Sequence, residues 1–215
     1  MTLSFPQSVF VTGTDTGIGK TLTASVLTAG LTAEYWKPIQ CGLDGGTDRS
    51  WVFQKTALPE NHFHPETYLL KHPLSPHAAA RLEDVRIDLE RINAPHPSGG
   101  RRLIVEGAGG LLVPLNERHT MIDLIKKLGF SVILTARSGL GTINHTLLSL
   151  RELERNRIEV LGVVLNGPPN PSNREAIEQF GRVRVLAEIG PLSKIDFPTL
   201  NKIFNEQFFK RWRDG

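Results

Sequence analysis

Residues 13–21 read Gly-Thr-Asp-Thr-Gly-Ile-Gly-Lys-Thr, and this glycine-rich segment limits the folds open to the chain more than any other feature. It follows the apolar run 9–11 and precedes the amphipathic stretch 22–31, as the loop of a strand–loop–helix unit would. Glycines let such a loop turn backbone N–H groups towards phosphate oxygens, and the helix adds its N-terminal dipole. The pattern therefore predicts a nucleotide phosphate site, in which Lys20 reaches the β- and γ-phosphates and the Thr21 hydroxyl binds Mg²⁺.

The spacing within this loop departs from the usual motif. Five residues separate Gly13 from Gly19, where Gly-x4-Gly-Lys-Ser/Thr has four. The alternative interpretation is a glycine-rich turn followed by a capping threonine. The flanking apolar and amphipathic stretches favour the phosphate site.

Composition and charge exclude several classes of protein. A chain of 215 residues that is 40% hydrophobic suits one compact domain, covering residues 1–215. The net charge is only +3 and the basic residues are scattered apart from short clusters such as 210–213, which predicts no nucleic-acid partner. No apolar run approaches the roughly 20 residues of a membrane span, and residues 1–7 lack the features of a secretion signal. We therefore expect a cytoplasmic protein without a membrane partner.

Apolar runs and helical patterns alternate along the chain, which predicts an α/β fold with a doubly wound, mostly parallel sheet flanked by helices. The predicted strands are 9–12, 34–37, 103–106, 132–135, 160–166 and, more weakly, 184–189. The predicted helices are 20–31, 49–57, 119–128, 143–157, 173–180 and 198–211.

Polar residues at the ends of the predicted strands are candidate site residues, because ligands of open parallel sheets bind outside the carboxyl ends of the strands. Lys37 ends the second strand, and the alternative for it is a solvated lysine. Glu106 ends an apolar strand, where a carboxylate is costly unless paired or on a metal, and the nearby phosphate loop favours Mg²⁺. Asn166 begins an Asn-Gly pair, which predicts either a turn or base recognition.

Two acidic residues are candidates for an additional magnesium ligand. Asp48 could complete a magnesium shell with Thr21 and Glu106, or could cap a helix, and Asp44 is a competitor that the sequence alone does not exclude. The seven histidines show no regular spacing typical of metal ligands, and the single cysteine, Cys41, excludes an internal disulfide and a Cys-based zinc site.

Several motifs together closely resemble the dethiobiotin synthetase family. They are Gly-Thr-Asp-Thr-Gly-Ile-Gly-Lys-Thr at 13–21, Lys-Pro-Ile-Gln-Cys-Gly at 37–42, Ser-Pro-His-Ala-Ala at 75–79, Glu-Gly-Ala-Gly-Gly at 106–110 and Leu-Gly-Thr-Ile-Asn-His at 140–145. The extended loop spacing is also that of the family. The resemblance implies a homodimer with the fold of P-loop NTPases. It also implies an ATP- and Mg²⁺-dependent ligase that forms the ureido ring of dethiobiotin, in biotin biosynthesis, from 7,8-diaminononanoate and CO₂ through a carbamate and a carbamic-phosphoric anhydride.

The resemblance also implies roles for matching positions. Lys20, Lys37 and Thr16 would be catalytic, and Thr21, Asp48 and Glu106 would bind Mg²⁺. ATP would contact Thr14, Asp15, Thr16, Gly17, Ile18, Gly19, Lys20, Thr21, Asn166, Pro191 and Leu192. The diamine substrate would contact Thr16, Lys37, Cys41, Gly107, Ala108, Gly109, Gly110, Leu140, Gly141 and Asn144, with the stretch 140–144 acting across the dimer interface.

Local differences from the family pattern occur at three places. Cys41 stands where the family more often has Ser or Thr, the loop 43–48 makes the choice of Asp48 depend on the alignment, and the stretch 188–192 lacks the usual Ile-Pro ending.

Two other classes of protein share parts of the pattern. Partition ATPases, which bind DNA or membranes, carry an additional lysine early in an extended loop, whereas Thr14, Asp15 and Thr16 occupy that region here. ATP-dependent amide synthases that act on corrinoids add a glutaminase domain, for which 215 residues leave no room.

Overall fold

Residues 5–209 are described by the computed structural model, and they contain a seven-stranded sheet in the order β4-β2-β6-β1-β7-β8-β9. Every strand pairing within this sheet is parallel. The strands are β1 (Ser8–Gly13), β2 (Glu34–Trp36), β3 (Ile39–Cys41), β4 (Phe63–His64), β5 (Tyr68–Leu70), β6 (Leu103–Glu106), β7 (Ser131–Arg137), β8 (Val160–Asn166) and β9 (Val185–Ile189). The α-helices are α1 (Lys20–Leu31), α2 (Asp48–Thr56), α3 (Pro76–Leu82), α4 (Met121–Leu128), α5 (Thr142–Arg155), α6 (Pro171–Gly181) and α7 (Phe197–Ile203).

Both faces of the sheet are covered by helices. Along β1, Val9 and Val11 pack with α1 and α7 in one hydrophobic cluster, whereas Phe10 packs with α4 in another. Adjacent strand residues point to opposite faces, so a strand covered on both sides is apolar throughout. The predicted α/β fold with a doubly wound parallel sheet is therefore confirmed.

Most predicted elements are present, with shifted ends. Each of the six predicted strands overlaps a strand of the large sheet, but Lys37 lies just beyond β2 rather than in it. Pro38 follows, and a proline has no N–H group to extend the ladder. The chain turns there into β3, which pairs with β5 in a separate two-stranded parallel sheet.

Capping residues and residues with a positive φ determine where two of the helices begin and end. The predicted helix 49–57 begins at Asp48, because Thr47 caps it, and stops before Ala57, which has a φ of 50°. The predicted end of α5 at residue 157 is wrong, since Arg157 has a φ of 57°. A non-glycine residue in the left-handed region seldom continues a helix.

The other helices differ from prediction at their starts or in type. Helix α4 begins at Met121, after a capping box formed by Thr120 and Asp123. Helix α6 starts at Pro171, two residues before the predicted start. The predicted helix 198–211 is α-helical only to Ile203 and continues as a π-helix over Phe204–Phe209; its last two residues, 210 and 211, lie outside the described part.

The sequence did not predict β3, β4, β5 and α3; of these, β4 is an edge strand of the large sheet, and β3 and β5 form the separate small sheet. In the described part of the chain, no helix combines the length and hydrophobicity that a membrane crossing requires. The basic cluster 210–213 lies outside the described residues.

Candidate active site

The loop between β1 and α1 wraps around its own lysine. Gly17 and Gly19 have φ angles of 71° and 90°, in the left-handed region that glycine adopts without strain. The Lys20 ammonium donates a hydrogen bond of 2.7 Å to the backbone carbonyl of Asp15. Burial lowers the pKa of Lys20 to about 8, although the nearby carboxylates oppose this shift. The loop thus has the shape and the buried positive charge of a phosphate site.

Thr21, Asp48 and Glu106 come together beside this loop. The Thr21 hydroxyl lies 3.2 Å from Asp48 Oδ1 and 2.8 Å from Glu106 Oε1. Thr21 is in the first turn of α1, Asp48 is the first residue of α2, and Glu106 is the last residue of β6. Asp44 is exposed on the preceding loop, so the structure brings Asp48 rather than Asp44 to the cluster.

Lys37 connects the two carboxylates. Its ammonium forms ion pairs with Asp48 and, at 3.1 Å, with Glu106. Burial disfavours the charged ammonium, but the attraction of Glu106 and Asp48 outweighs it and raises the pKa of Lys37. The side chain is almost fully buried, so the solvated-lysine interpretation is wrong.

Two further residues hold this cluster and were not predicted as site residues. The hydroxyl of Tyr35 donates a hydrogen bond of 2.8 Å to Glu106 Oε2. Burial and the charges of Glu106 and Asp48 raise the pKa of Tyr35 well above its usual value, which keeps the hydroxyl protonated as a donor. Gln40 accepts a hydrogen bond of 3.2 Å from the Asp48 backbone N–H. Nothing in the sequence around Tyr35 indicates that its hydroxyl contacts Glu106.

The cluster has the donor set that Mg²⁺ prefers. Thr21, Asp48 and Glu106 offer one hydroxyl and two carboxylates, all hard oxygen ligands, beside a phosphate loop that would bring further oxygens. The two carboxylates already accept a cation, the Lys37 ammonium. Among the described residues, no three His, Cys, Asp or Glu side chains form a metal-binding group. These three residues could therefore hold Mg²⁺ only together with phosphate and water.

A cavity of about 800 Å³ opens onto this cluster. Of the predicted site residues, it is lined by Thr16, Gly17, Gly19, Lys20, Thr21, Lys37, Cys41, Asp48, Glu106, Ala108 and Gly109. It is also lined by Ser75 and Pro76 at the start of α3. Burial raises the pKa of Cys41 to about 11, so its thiol is neutral at physiological pH. The cavity has room for an elongated substrate next to Lys37.

The segment after β6 lies against β1 and the start of the phosphate loop, and at Gly107 the neighbouring strand leaves no room for a Cβ. A Cβ at Gly107 would lie 2.8 Å from the Phe10 ring, and one at Gly110 would lie 3.5 Å from the Gly13 carbonyl oxygen. Gly110 lines a neighbouring cavity together with Thr14 and Asp15.

Of the predicted base-recognition residues, Asn166 faces a cavity along the phosphate loop. Asn166 at the end of β8 lines a third cavity with Gly17, Ile18 and Gly19. Its amide nitrogen donates to the carbonyls of Ile18 and Gly19, so it braces the loop in addition to facing the cavity. Among the described residues its Oδ1 is buried without a hydrogen-bond partner, and it could accept one from a nucleotide base. Pro191 and Leu192 follow β9, and Leu192 packs against the core.

The stretch 140–144 lies apart from the cavity of its own chain. Leu140, Gly141 and Asn144 are exposed at the start of α5, and Leu140 is fully exposed. None of the three is among the described residues that line the cavity next to Lys37.

Comparison with solved structures supports the fold. The ParA family ATPase from Chlorobium tepidum TLS superposes with a TM-score of 0.55 at 11% identity, covering 97% of this chain and 98% of that chain. The MinD cell division protein of Aquifex aeolicus gives a TM-score of 0.53 at 16% identity, covering 93% of this chain and 89% of that chain. The chain thus has the fold of P-loop ATPases.

Comparison of sequences identifies the family. A family model described as an AAA domain matches residues 7–199. The ATP-dependent dethiobiotin synthetase BioD of Paramagnetospirillum magneticum is 52% identical over 90% of this chain and 93% of that protein, and that of Brucella anthropi is 44% identical over 94% of both. The bifunctional biotin biosynthesis protein BioCD of Bordetella avium is 52% identical over 89% of this chain, which spans only 41% of that longer protein. The chain therefore belongs to the AAA domain family of that model and to the family of ATP-dependent dethiobiotin synthetase enzymes.

Proposed function

We propose that this chain closes the ureido ring of dethiobiotin, using 7,8-diaminononanoate, CO₂ and ATP with Mg²⁺. The observation that carries the proposal is the contact of the Lys37 ammonium with Asp48 and Glu106, beside Lys20 and a cavity of about 800 Å³. A buried lysine held there adds positive charge where an anionic substrate would meet a phosphate.

The reaction consists of three steps. One amine of the diamine captures CO₂ as a carbamate. A carbamate oxygen then attacks the γ-phosphorus of ATP, and ADP leaves as a carbamic-phosphoric anhydride forms. The second amine attacks the carbonyl carbon of this anhydride and expels phosphate, which closes the ring.

The chain's own residues supply charge and position rather than a nucleophile. Lys20 holds the β- and γ-phosphates, and Lys37 binds the carbamate as its charge develops. Such fixed charges have their greatest effect in a site that excludes water. Thr16 lies at the boundary between the loop and the cavity and orients both reactants. Holding the two reactants in line lowers the barrier by about 7 kcal/mol.

The remaining predicted residues complete the site in this proposal. Thr21, Asp48 and Glu106 hold Mg²⁺, which when bound supplies positive charge to the phosphate oxygens. Thr14, Asp15, Gly17, Ile18 and Gly19 surround the phosphates, and Asn166, Pro191 and Leu192 surround the base. Cys41, Gly107, Ala108, Gly109 and Gly110 line the diamine site.

A second copy of the chain has a part in this proposal. Leu140, Gly141 and Asn144 bind the substrate carboxylate across a homodimer interface, and their exposure on a single chain supports this placement. We also propose that residues 1–215 form one domain and that the enzyme acts in the cytoplasm.

The test is to incubate the purified protein with MgATP, labelled bicarbonate and 7,8-diaminononanoate, and to follow acid-stable label and ADP. We expect label and ADP in equal amounts, both dependent on the diamine. ADP without stable label would instead indicate an ATPase of the ParA or MinD type or another acceptor. Neither product from a folded sample that binds ATP would refute the proposed reaction.

A further inference from the structure

Tyr35 and Lys37 approach Glu106 from the same neighbouring strand segment. Tyr35 lies in β2 and Lys37 directly follows this strand, two positions later, and both side chains reach the same carboxylate. Trp36, between them, points to the opposite face, where it packs in the cluster that contains Phe10. Tyr35 belongs to the cluster on the α1 side of the sheet. The alternation of β2 thus brings one neutral and one charged donor to Glu106.

The donors around Glu106 contact different oxygens of its carboxylate. Tyr35 donates to Oε2 at 2.8 Å, whereas Thr21 and Lys37 lie 2.8 and 3.1 Å from Oε1. Oε1 therefore faces the site, and Oε2 is turned into the protein.

The Tyr35 hydroxyl is held firmly in this position. Tyr35 is fully buried, and its ring lies 6.3 Å, between centroids, from that of Phe63. A phenol in a packed core has little freedom to release its hydrogen bond, since the ring would have to displace its neighbours. Glu106, which accepts this hydrogen bond, is itself almost fully buried at the end of β6.

We propose that Tyr35 makes Glu106 a ligand with a single available oxygen, and that it thereby favours Mg²⁺ over Ca²⁺ at this site. Ca²⁺ takes six to eight oxygens and accepts bidentate carboxylates, whereas Mg²⁺ requires a compact octahedral shell in which each carboxylate gives one oxygen. Because the Tyr35 hydroxyl occupies Oε2, Glu106 does not bind a metal ion through both carboxylate oxygens. Tyr35 is therefore a positioning residue, and the inference rests on the proposed function of Glu106 as a magnesium ligand.

The test compares two conservative variants, Tyr35→Phe and Tyr68→Phe. These are the only tyrosines of the chain. Tyr68 is a matched control, because its hydroxyl is also engaged, accepting a hydrogen bond of 2.9 Å from the Asp88 backbone N–H, but it lies in the small sheet away from Glu106. Each substitution removes one hydroxyl and keeps the ring.

The measurement is displacement of protein-bound Mn²⁺ by Mg²⁺ and by Ca²⁺, followed by electron paramagnetic resonance with adenylyl imidodiphosphate present. The ratio of the two dissociation constants is the readout, because a general loss of stability would weaken both ions alike. We expect Tyr35→Phe to lower the preference for Mg²⁺ about tenfold, in the range typical of lost outer-shell partners, and Tyr68→Phe to leave it unchanged. Thermal unfolding of both variants checks that they are folded.

An unchanged ratio in folded Tyr35→Phe would overturn the inference while leaving the proposed function intact. An equal change in both variants would overturn it as well. If Glu106→Gln binds Mn²⁺ as tightly as the original chain does, Glu106 is no ligand. In that case the assignment of Glu106 as a magnesium ligand fails together with the inference. The proposed ring closure is tested separately, by the formation of acid-stable label and ADP.

Discussion

The side-chain amide of Asn166 donates a hydrogen bond of 3.1 Å to the backbone carbonyl of Gly19, which joins the end of β8 to the phosphate loop. A Cβ placed on Gly19 would lie 2.4 Å from the nitrogen of that amide. The contact therefore requires a glycine for two reasons, the close approach and the φ of 90°.

Gly19→Ala should lose nucleotide binding. The left-handed backbone alone costs about 1–2 kcal/mol for an alanine, and the clash with Asn166 would displace the loop. We expect at least a tenfold weaker affinity for ATP, measured by titration calorimetry. Gly17→Ala is the matched control, because Gly17 has a φ of 71° but nothing within 4 Å of its Cβ position. Equal losses in both variants would show that the backbone strain, and not the contact with Asn166, is responsible.

Lys37→Ala should lose turnover far more than ATP affinity. The ammonium stabilises charge that develops during the reaction, and removing one such group commonly costs about 100-fold or more in rate. We expect the dissociation constant for ATP to change by less than about threefold. Lys202→Ala, on the exposed side of α7, should resemble the original enzyme. Near-normal turnover of Lys37→Ala would contradict the assigned role.

Asp48→Asn should raise the Mg²⁺ concentration needed for half-maximal rate, by about tenfold, because a neutral amide is a weaker ligand than a carboxylate. Asp44→Asn should not change it, since Asp44 is exposed and Asp48 contacts Thr21. The check is a magnesium titration of both variants at saturating ATP. A shift in Asp44→Asn instead would reverse the assignment.

ATP binding should take up a proton at alkaline pH. Lys20 has a pKa of about 8 before nucleotide binds. At pH 8.5 roughly three-quarters of it would then be neutral, and phosphate favours its charged form. Below pH 7 it is already protonated, so the uptake should grow between pH 7 and 8.5.

Calorimetry in two buffers with different ionisation enthalpies measures this uptake. Lys20→Arg should show none, because a guanidinium stays charged throughout the range. Identical proton uptake at both pH values in the original chain would argue against a lowered pKa for Lys20.

Acid should weaken the fold through Glu34, which is buried at the start of β2. Burial alone would raise its pKa, but hydrogen bonds from the Ser98 N–H, His64 and Arg101 outweigh this effect and lower it. The carboxylate therefore adds stability above pH 4.5, and this stability is lost as the pH falls through the lowered pKa of the folded state. Glu34→Gln should be less stable at neutral pH and lose less on acidification to pH 3.5. The measurement is the free energy of unfolding in urea between pH 6 and 3.5. If it falls by the same amount in Glu34→Gln as in the original chain, the assignment is contradicted.

The parts of the fold that the sequence predicted are those with long apolar or periodic patterns. The core strands β1, β6, β7 and β8 have four to seven residues, and their predicted ends lie within two residues of the observed ones. The strand β4 has only two residues, Phe63–His64, and β3 and β5 have three each, which is too short for any periodicity to appear. Their pairing depends on tertiary contacts instead.

The sequence indicated those site residues that lie at the carboxyl ends of predicted strands. Lys37 directly follows β2 and Glu106 ends the neighbouring strand β6, so their side chains meet at the carboxyl edge of the sheet. Tyr35 and Gln40 were missed, since their roles depend on which buried atom each side chain meets. The choice between Asp44 and Asp48 required the start of α2, which the cap at Thr47 determines.

The opposite orientations of Tyr35 and Trp36 limit how this segment can change. Deleting or inserting one residue before them would exchange the two faces, sending the indole towards Glu106 and the phenol and Lys37 away from it. Tyr35 and Trp36 would each leave its hydrophobic cluster, and the charged cluster would lose Lys37, in the same event. Variation here should therefore proceed by replacement of single side chains at constant length, and shifts in chain length should accumulate in exposed connections such as 94–100.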